Sequence, residues 1–148
     1  MKKTLTTMIL TSISEVLETM FFIPVEPEEE ELSKLPDIGS DLLAASLKFK
    51  GDRSGDLVII APRIVVEEMA ENLMGLNSEN VEEEYLTGTL TELLNMVCGN
   101  ALSRADASNP YELAIPEIIL MPEVLKRNTF HKINTPQSAL AISVVIEE

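Results

Sequence analysis

The sequence predicts an α+β fold: a mostly antiparallel sheet with two long helices packed on it. Three observations carry this. Apolar residues recur at helical spacing over two long stretches, 4–22 and 78–105. Two strand candidates, 41–50 and 56–61, are joined by Gly51-Asp52-Arg53-Ser54-Gly55, which is hairpin-turn chemistry. The full order is one helix, a strand pair, two helices and three strands, a pattern of segregated elements around one sheet.

Each element has its own justification. In the first helix Ile9, Leu10, Ile13, Val16, Leu17, Met20 and Phe21 form one apolar arc. The stretch from Pro24 to Ser40 holds Pro24, Pro27, Pro36 and the run Glu28–Glu31, and reads as an exposed loop with a solvated charge run. After the hairpin, a short helix from about Ile64 to Met74 stops at Gly75, a common C-terminal punctuation. Ser78 is placed to cap the long helix, which runs to about Ala105 and ends before the turn residues Asp106 to Pro110. Three strands, near 112–120, 128–134 and 138–147, complete the chain. The last, Ala139 to Ile146, is long and apolar. It is either a sheet edge that needs covering or a central strand buried on both faces.

Composition narrows the function. The 148 residues fit a single domain over 1–148, with 45% apolar side chains and only 4% aromatic ones, so the core must be aliphatic. A formal charge of −14 repels a phosphate backbone and an anionic lipid surface, which argues against nucleic-acid and membrane partners. It suits a partner that presents a lysine, although excess Glu also serves solubility alone. The one cysteine, Cys98, cannot make an internal disulfide and falls on an apolar arc, so it reads as core. The one histidine, His131, reads as an ordinary strand residue, and no zinc-site pattern is present. The start, Met1-Lys2-Lys3 with Leu5, Met8, Ile9 and Leu10, is interrupted by threonines and Glu15 and lacks a small-x-small cleavage pattern. A cytoplasmic location is therefore expected. No Ser/His/Asp or Cys/His set and no Walker-type loop is evident.

Two features stand out on the long helices. Glu15-Val16-Leu17-Glu18 is echoed by Glu92-Leu93-Leu94-Asn95, and an offset of 77 superposes the apolar arcs. This fits an internal pseudo-duplication, and it equally fits any two amphipathic helices. The second feature is an outward stripe of Gly88, Glu92, Asn95 and Gly99, spaced by four, three and four, with Met96 beside it. Each glycine inside a helix costs about 1 kcal/mol relative to alanine. Close approach by another backbone would explain them, leaving Glu92 and Asn95 projecting from a shallow floor. Glycines that merely admit a packed neighbour within the chain would explain them too.

At this stretch the sequence resembles the CheX/CheC family of chemotaxis phosphatases. Glu92 to Ala101 is similar to the family's Glu-x-x-Asn helix with its following Gly-Asn-Ala. Phe49-Lys50-Gly51-Asp52 through Gly55–Ile59 resembles the family's strand-turn-strand, and Glu68–Gly75 its short helix. Glu15–Phe21 is similar to the CheX-like opening helix. Two departures touch the site: Gly88 stands where the family has Ser or Asp, and Pro116 stands closer to Asn95 than the family's proline does.

The resemblance implies a CheC-like fold and a substrate that is the aspartyl phosphate of a CheY-type receiver domain. It implies Glu92 and Asn95 as catalytic residues, with Gly88, Met96 and Gly99 as partner contacts. Glu18 stands where a second active helix would carry Asn, so one site is implied. No cofactor is expected in this chain; Mg²⁺ is expected on the receiver. A homodimer through the sheets is implied as well. Two rival readings stay open: a non-catalytic module that docks to a receiver or a flagellar-switch component, and a structural dimer that buries the Glu/Asn stripe.

Overall fold

The computed structural model describes residues 2–75, 82–105 and 110–147, with side chains from Leu5 onward. Ser78 and the turn residues Asp106–Asn109 lie outside the described residues. Helix α1 spans Lys2–Met20, β1 Glu26–Pro27, β2 Leu42–Lys50, β3 Ser54–Pro62, α2 Arg63–Met74 and α3 Glu83–Ser103. Then follow β4 Glu112–Leu113, β5 Glu117–Ile118, the single turn α4 Met121–Val124, β6 His131–Asn134 and β7 Ala139–Glu147.

All seven strands join one sheet in the order β1-β6-β7-β3-β2-β4, with β5 also on β2, and every pair is antiparallel. The hairpin β2–β3 forms as the turn residues require, with Leu42 opposite Pro62 and Phe49 opposite Gly55. Gly55 is needed there, because a Cβ would run into the Val145 carbonyl oxygen of β7. In β3 alternate residues serve opposite faces. Leu57, Ile59 and Ala61 join the core under the helices, while Val58 and Ile60 join a smaller core on the other side.

The main core takes Ile9, Ile13 and Leu17 from α1, Phe21 just after it, and Leu86, Leu90, Leu93, Leu94 and Val97 from α3. The buried Ser12 hydroxyl donates to the Val97 carbonyl, and Asn100 reaches Glu15; both links span 85 residues. The two helices therefore run in the same direction where they touch. Helix α1 ends at Phe22, a non-glycine residue at φ 57, with the Ile23 amide donating to the Leu17 carbonyl. Helix α2 ends at Gly75 (φ 71), whose amide caps the Glu71 carbonyl, as the sequence predicts.

Several expectations need correction. Met20, assigned to the apolar arc, is 44% exposed, because the chain turns away one residue later. The stretch 24–40 is more than an exposed loop. Glu26–Pro27 pairs with β6, Leu32 bridges to Phe130, and Ile38 is buried in the smaller core. Within its acidic run Glu28 accepts a hydrogen bond from Asn134 at 2.8 Å, so it is not merely solvated. The expected strand at 112–120 is two short pieces, parted by residues 114–116 around Pro116, which cannot donate to a ladder. The last strand, β7, is central between β6 and β3, so its apolar run reflects burial rather than an uncovered edge. Arg127 fixes the loop before β6 by a forked pair to Asp56 (2.6 and 3.3 Å) and a bond to the Ser143 hydroxyl at 2.7 Å.

Candidate functional site

Helix α3 begins at Glu83. Its N-cap, Glu82, makes no side-chain capping bond, and Glu83 and Glu84 in the first turn complement the positive end of the helix dipole. Arg63 ties this end to the start of α2 through pairs to Glu83 (2.6 Å) and Asp41 (3.1 Å). Below, the buried row from Leu86 to Leu102 clamps the helix onto the sheet, so its outward stripe is held on a rigid element.

Gly88, Glu92 and Asn95 are exposed on that stripe, and Met96 and Gly99 are half-buried beside them. Met96 packs against the main core, so its outer edge borders the stripe without being free of the protein. A Cβ added at Gly88 or at Gly99 would meet nothing within 4 Å. Packing against the described residues therefore does not account for either glycine. Glu92 and Asn95 make no hydrogen bond or ion pair to any described residue, so both keep their full hydrogen-bonding capacity.

The echo on α1 behaves differently. Glu15, the counterpart of Glu92 at the offset of 77, is held by Arg104 (3.0 and 3.2 Å) and by the Asn100 amide (3.4 Å), both from α3. The hydrogen bonds from Arg104, then Asn100, keep its carboxyl below the usual carboxylate range. Glu18, the counterpart of Asn95, is exposed.

One residue was not anticipated. Tyr85, 44% exposed, stands three residues before Gly88 and seven before Glu92, on the same stripe. The helical spacing that selected the other four extends to it. Cys98 is on the buried side, where burial pushes its thiol up to about 12, which makes it inert as a nucleophile. Among the described residues no group of three or more His, Cys, Asp or Glu side chains is arranged to hold a metal ion, and no helix is long and apolar enough to cross a membrane.

A rigid helix that offers a carboxylate and an amide one turn apart, with bare backbone on either side, can pair with a cation and orient a water molecule. Known structures agree with the architecture. The chemotaxis protein CheX from Vibrio vulnificus superposes with a TM-score of 0.77 at 18% identity, covering 97% of this chain and 99% of that one. A CheC-like superfamily protein from Shewanella sp. PV-4 gives 0.76 at 20% identity, covering all of both chains. The CheX–CheY–BeF3–Mg²⁺ complex from Borrelia burgdorferi gives 0.74 at 15% identity, covering 97% of each. At these identities the likeness establishes the fold. No curated protein matches in sequence. The family profile "Chemotaxis phosphatase CheX" matches residues 43–142, well over half of the chain and including all of α3, and the chain therefore belongs to the CheX family.

Proposed function

We propose that this protein dephosphorylates the aspartyl phosphate of a CheY-type receiver domain, using α3. The observation that carries the proposal is Glu92 and Asn95, without side-chain partners among the described residues, on an exposed helix face between two glycines that no described contact requires. The family membership and the fold shared with a CheX solved in complex with CheY support the choice of partner.

The receiver brings the phosphoryl group and the Mg²⁺, so the task left to this chain is positioning. Asn95 both donates and accepts, which lets its amide hold the attacking water in line with the departing phosphorus–oxygen bond. Glu92 pairs with a lysine at the receiver's site and fixes the helix over it. Gly88 and Gly99 admit the receiver's backbone, with Tyr85 and Met96 as flanking apolar contacts. A receiver partner places the protein in the cytoplasm. A sheet-to-sheet homodimer belongs to the same proposal, and Ile115, Ile118, Leu120 and Leu125 are exposed along the β4–β5 side where it would form.

The test is phosphate release from a phosphorylated CheY-type receiver, with this protein and with Asn95→Ala. Acceleration that disappears in Asn95→Ala while binding persists is the expected result. Equal acceleration by both would end the water-positioning role. Gly88 favours one other reading, because the hydroxyl or carboxylate of the family motif is missing there. A docking module without catalysis would bind the phosphorylated receiver and leave its phosphate lifetime unchanged.

A further inference from the structure

A cavity of about 680 Å³ lies on the opposite flank from the stripe, between α1, the acidic loop and the ends of β6 and β7. It is lined by Leu10, Val144 and Ile146, by Thr6, Thr7 and Thr129, by Glu29 and Glu31, and by His131 of β6. His131 is only 7% exposed, and its imidazole has no hydrogen-bond partner among the described residues. Among the described residues no side-chain nitrogen or oxygen is sealed from solvent without a partner. The ring nitrogens of His131 therefore keep access to solvent, and the ring lines the cavity as a largely buried polar group.

The lining discriminates among ligands. Two carboxylates with no Lys or Arg among the lining residues reject an anion. A metal ion is disfavoured because no three ligating side chains converge among the described residues. An ammonium group suits this lining: the glutamates supply charge, and an imidazole nitrogen and the threonine hydroxyls offer acceptors. Leu10, Val144 and Ile146 offer apolar contact to methylene groups.

We propose that this cavity binds a protonated alkylamine, with its ammonium between Glu29, Glu31 and His131 and its chain against Leu10, Val144 and Ile146. The site is separate from α3 and does not depend on the phosphatase reading.

Because the sequence contains a single histidine, its imidazole Cε1–H resonance is an assigned reporter without further labelling. The intact protein is titrated with 1,5-diaminopentane and, in parallel, with 1,5-pentanediol, which has the same chain length and no charge. The expected result is a saturable shift with the diamine, no saturation with the diol, and apparent affinity weakened about tenfold in the double variant E29Q/E31Q, equivalent to about 1.4 kcal/mol. Both substituted side chains are exposed, so the variant retains the fold and its amide spectrum serves as the check. A linear, non-saturating response to the diamine, equal responses to amine and diol, or unchanged affinity in E29Q/E31Q would each overturn the proposal.

Discussion

Replacing both stripe glycines by alanine should make the protein more stable and less active. Neither Gly88 nor Gly99 has a positive φ, both lie inside α3, and an added Cβ would touch nothing within 4 Å at either site. The change therefore carries the helix-propensity gain alone, about 1 kcal/mol per site. The sites are eleven residues apart, about 16 Å along the helix, so the gains add to about 2 kcal/mol. For a chain of this size that raises the melting temperature by about 4–8 °C. If the receiver's backbone packs against the bare helix, two new methyl groups strain that contact by about 1–3 kcal/mol, roughly a five- to 150-fold loss of phosphate release at limiting receiver. Thermal unfolding followed by circular dichroism reads the first effect, and a phosphate-release assay the second. A variant that is stabilised yet fully active would refute the approach argument. One that gains no stability would refute the reading of α3 as an open helix face.

Two further outcomes follow from the same structure. Arg104→Ala should let the Glu15 carboxyl rise toward its ordinary value of 4.5, read by carbon-13 titration of its carboxyl. A lowered carboxyl contributes stability above its unfolded value and loses it as pH falls through the folded one, so the variant should also show a flatter acid limb; an unmoved Glu15 would contradict the pairing. Cys98 should resist a thiol reagent at about pH 8 in the native protein and react once unfolded, since only the thiolate attacks. Its raised thiol adds stability below the unfolded value of 9.0 that fades as pH climbs toward about 12, a slope that Cys98→Ala should remove from urea titrations.

The elements legible in the sequence are those whose signal is local. Periodicity located α1, α2, α3, β2, β3 and β7 to within a few residues, and the Ser78 cap expected before α3 lies outside the described residues. The elements that escaped are pairings set by a distant partner. Glu26–Pro27 is a strand only because Asn134 and Ile133 lie opposite, and Glu117–Ile118 only because β2 supplies Ala45 and Ser46. Centrality is likewise invisible along the chain: β7 is apolar because β3 and β6 flank it and both its faces are covered, and an uncovered strand would look the same. For the site, the 3.6-residue period marked Glu92 and Asn95 as outward, yet it could not say whether other side chains occupy them.

That last point separates the two helices. Glu15 and Glu92 stand at corresponding places on similar arcs, but Glu15 has its counter-charge supplied by Arg104 and a hydrogen bond from Asn100, whereas Glu92 has neither among the described residues. A lone exposed carboxylate is well hydrated and costs the free protein little. Covering it with a partner that brings no cation would cost several kcal/mol of desolvation, so any surface that docks tightly over α3 must place a positive group at Glu92. Glu15, already paired, imposes no such demand. The requirement holds whether the docked complex hydrolyses phosphate or only holds it. On the proposed function, Glu92 selects the partner and the fate of the phosphate rests on the neighbouring amide of Asn95.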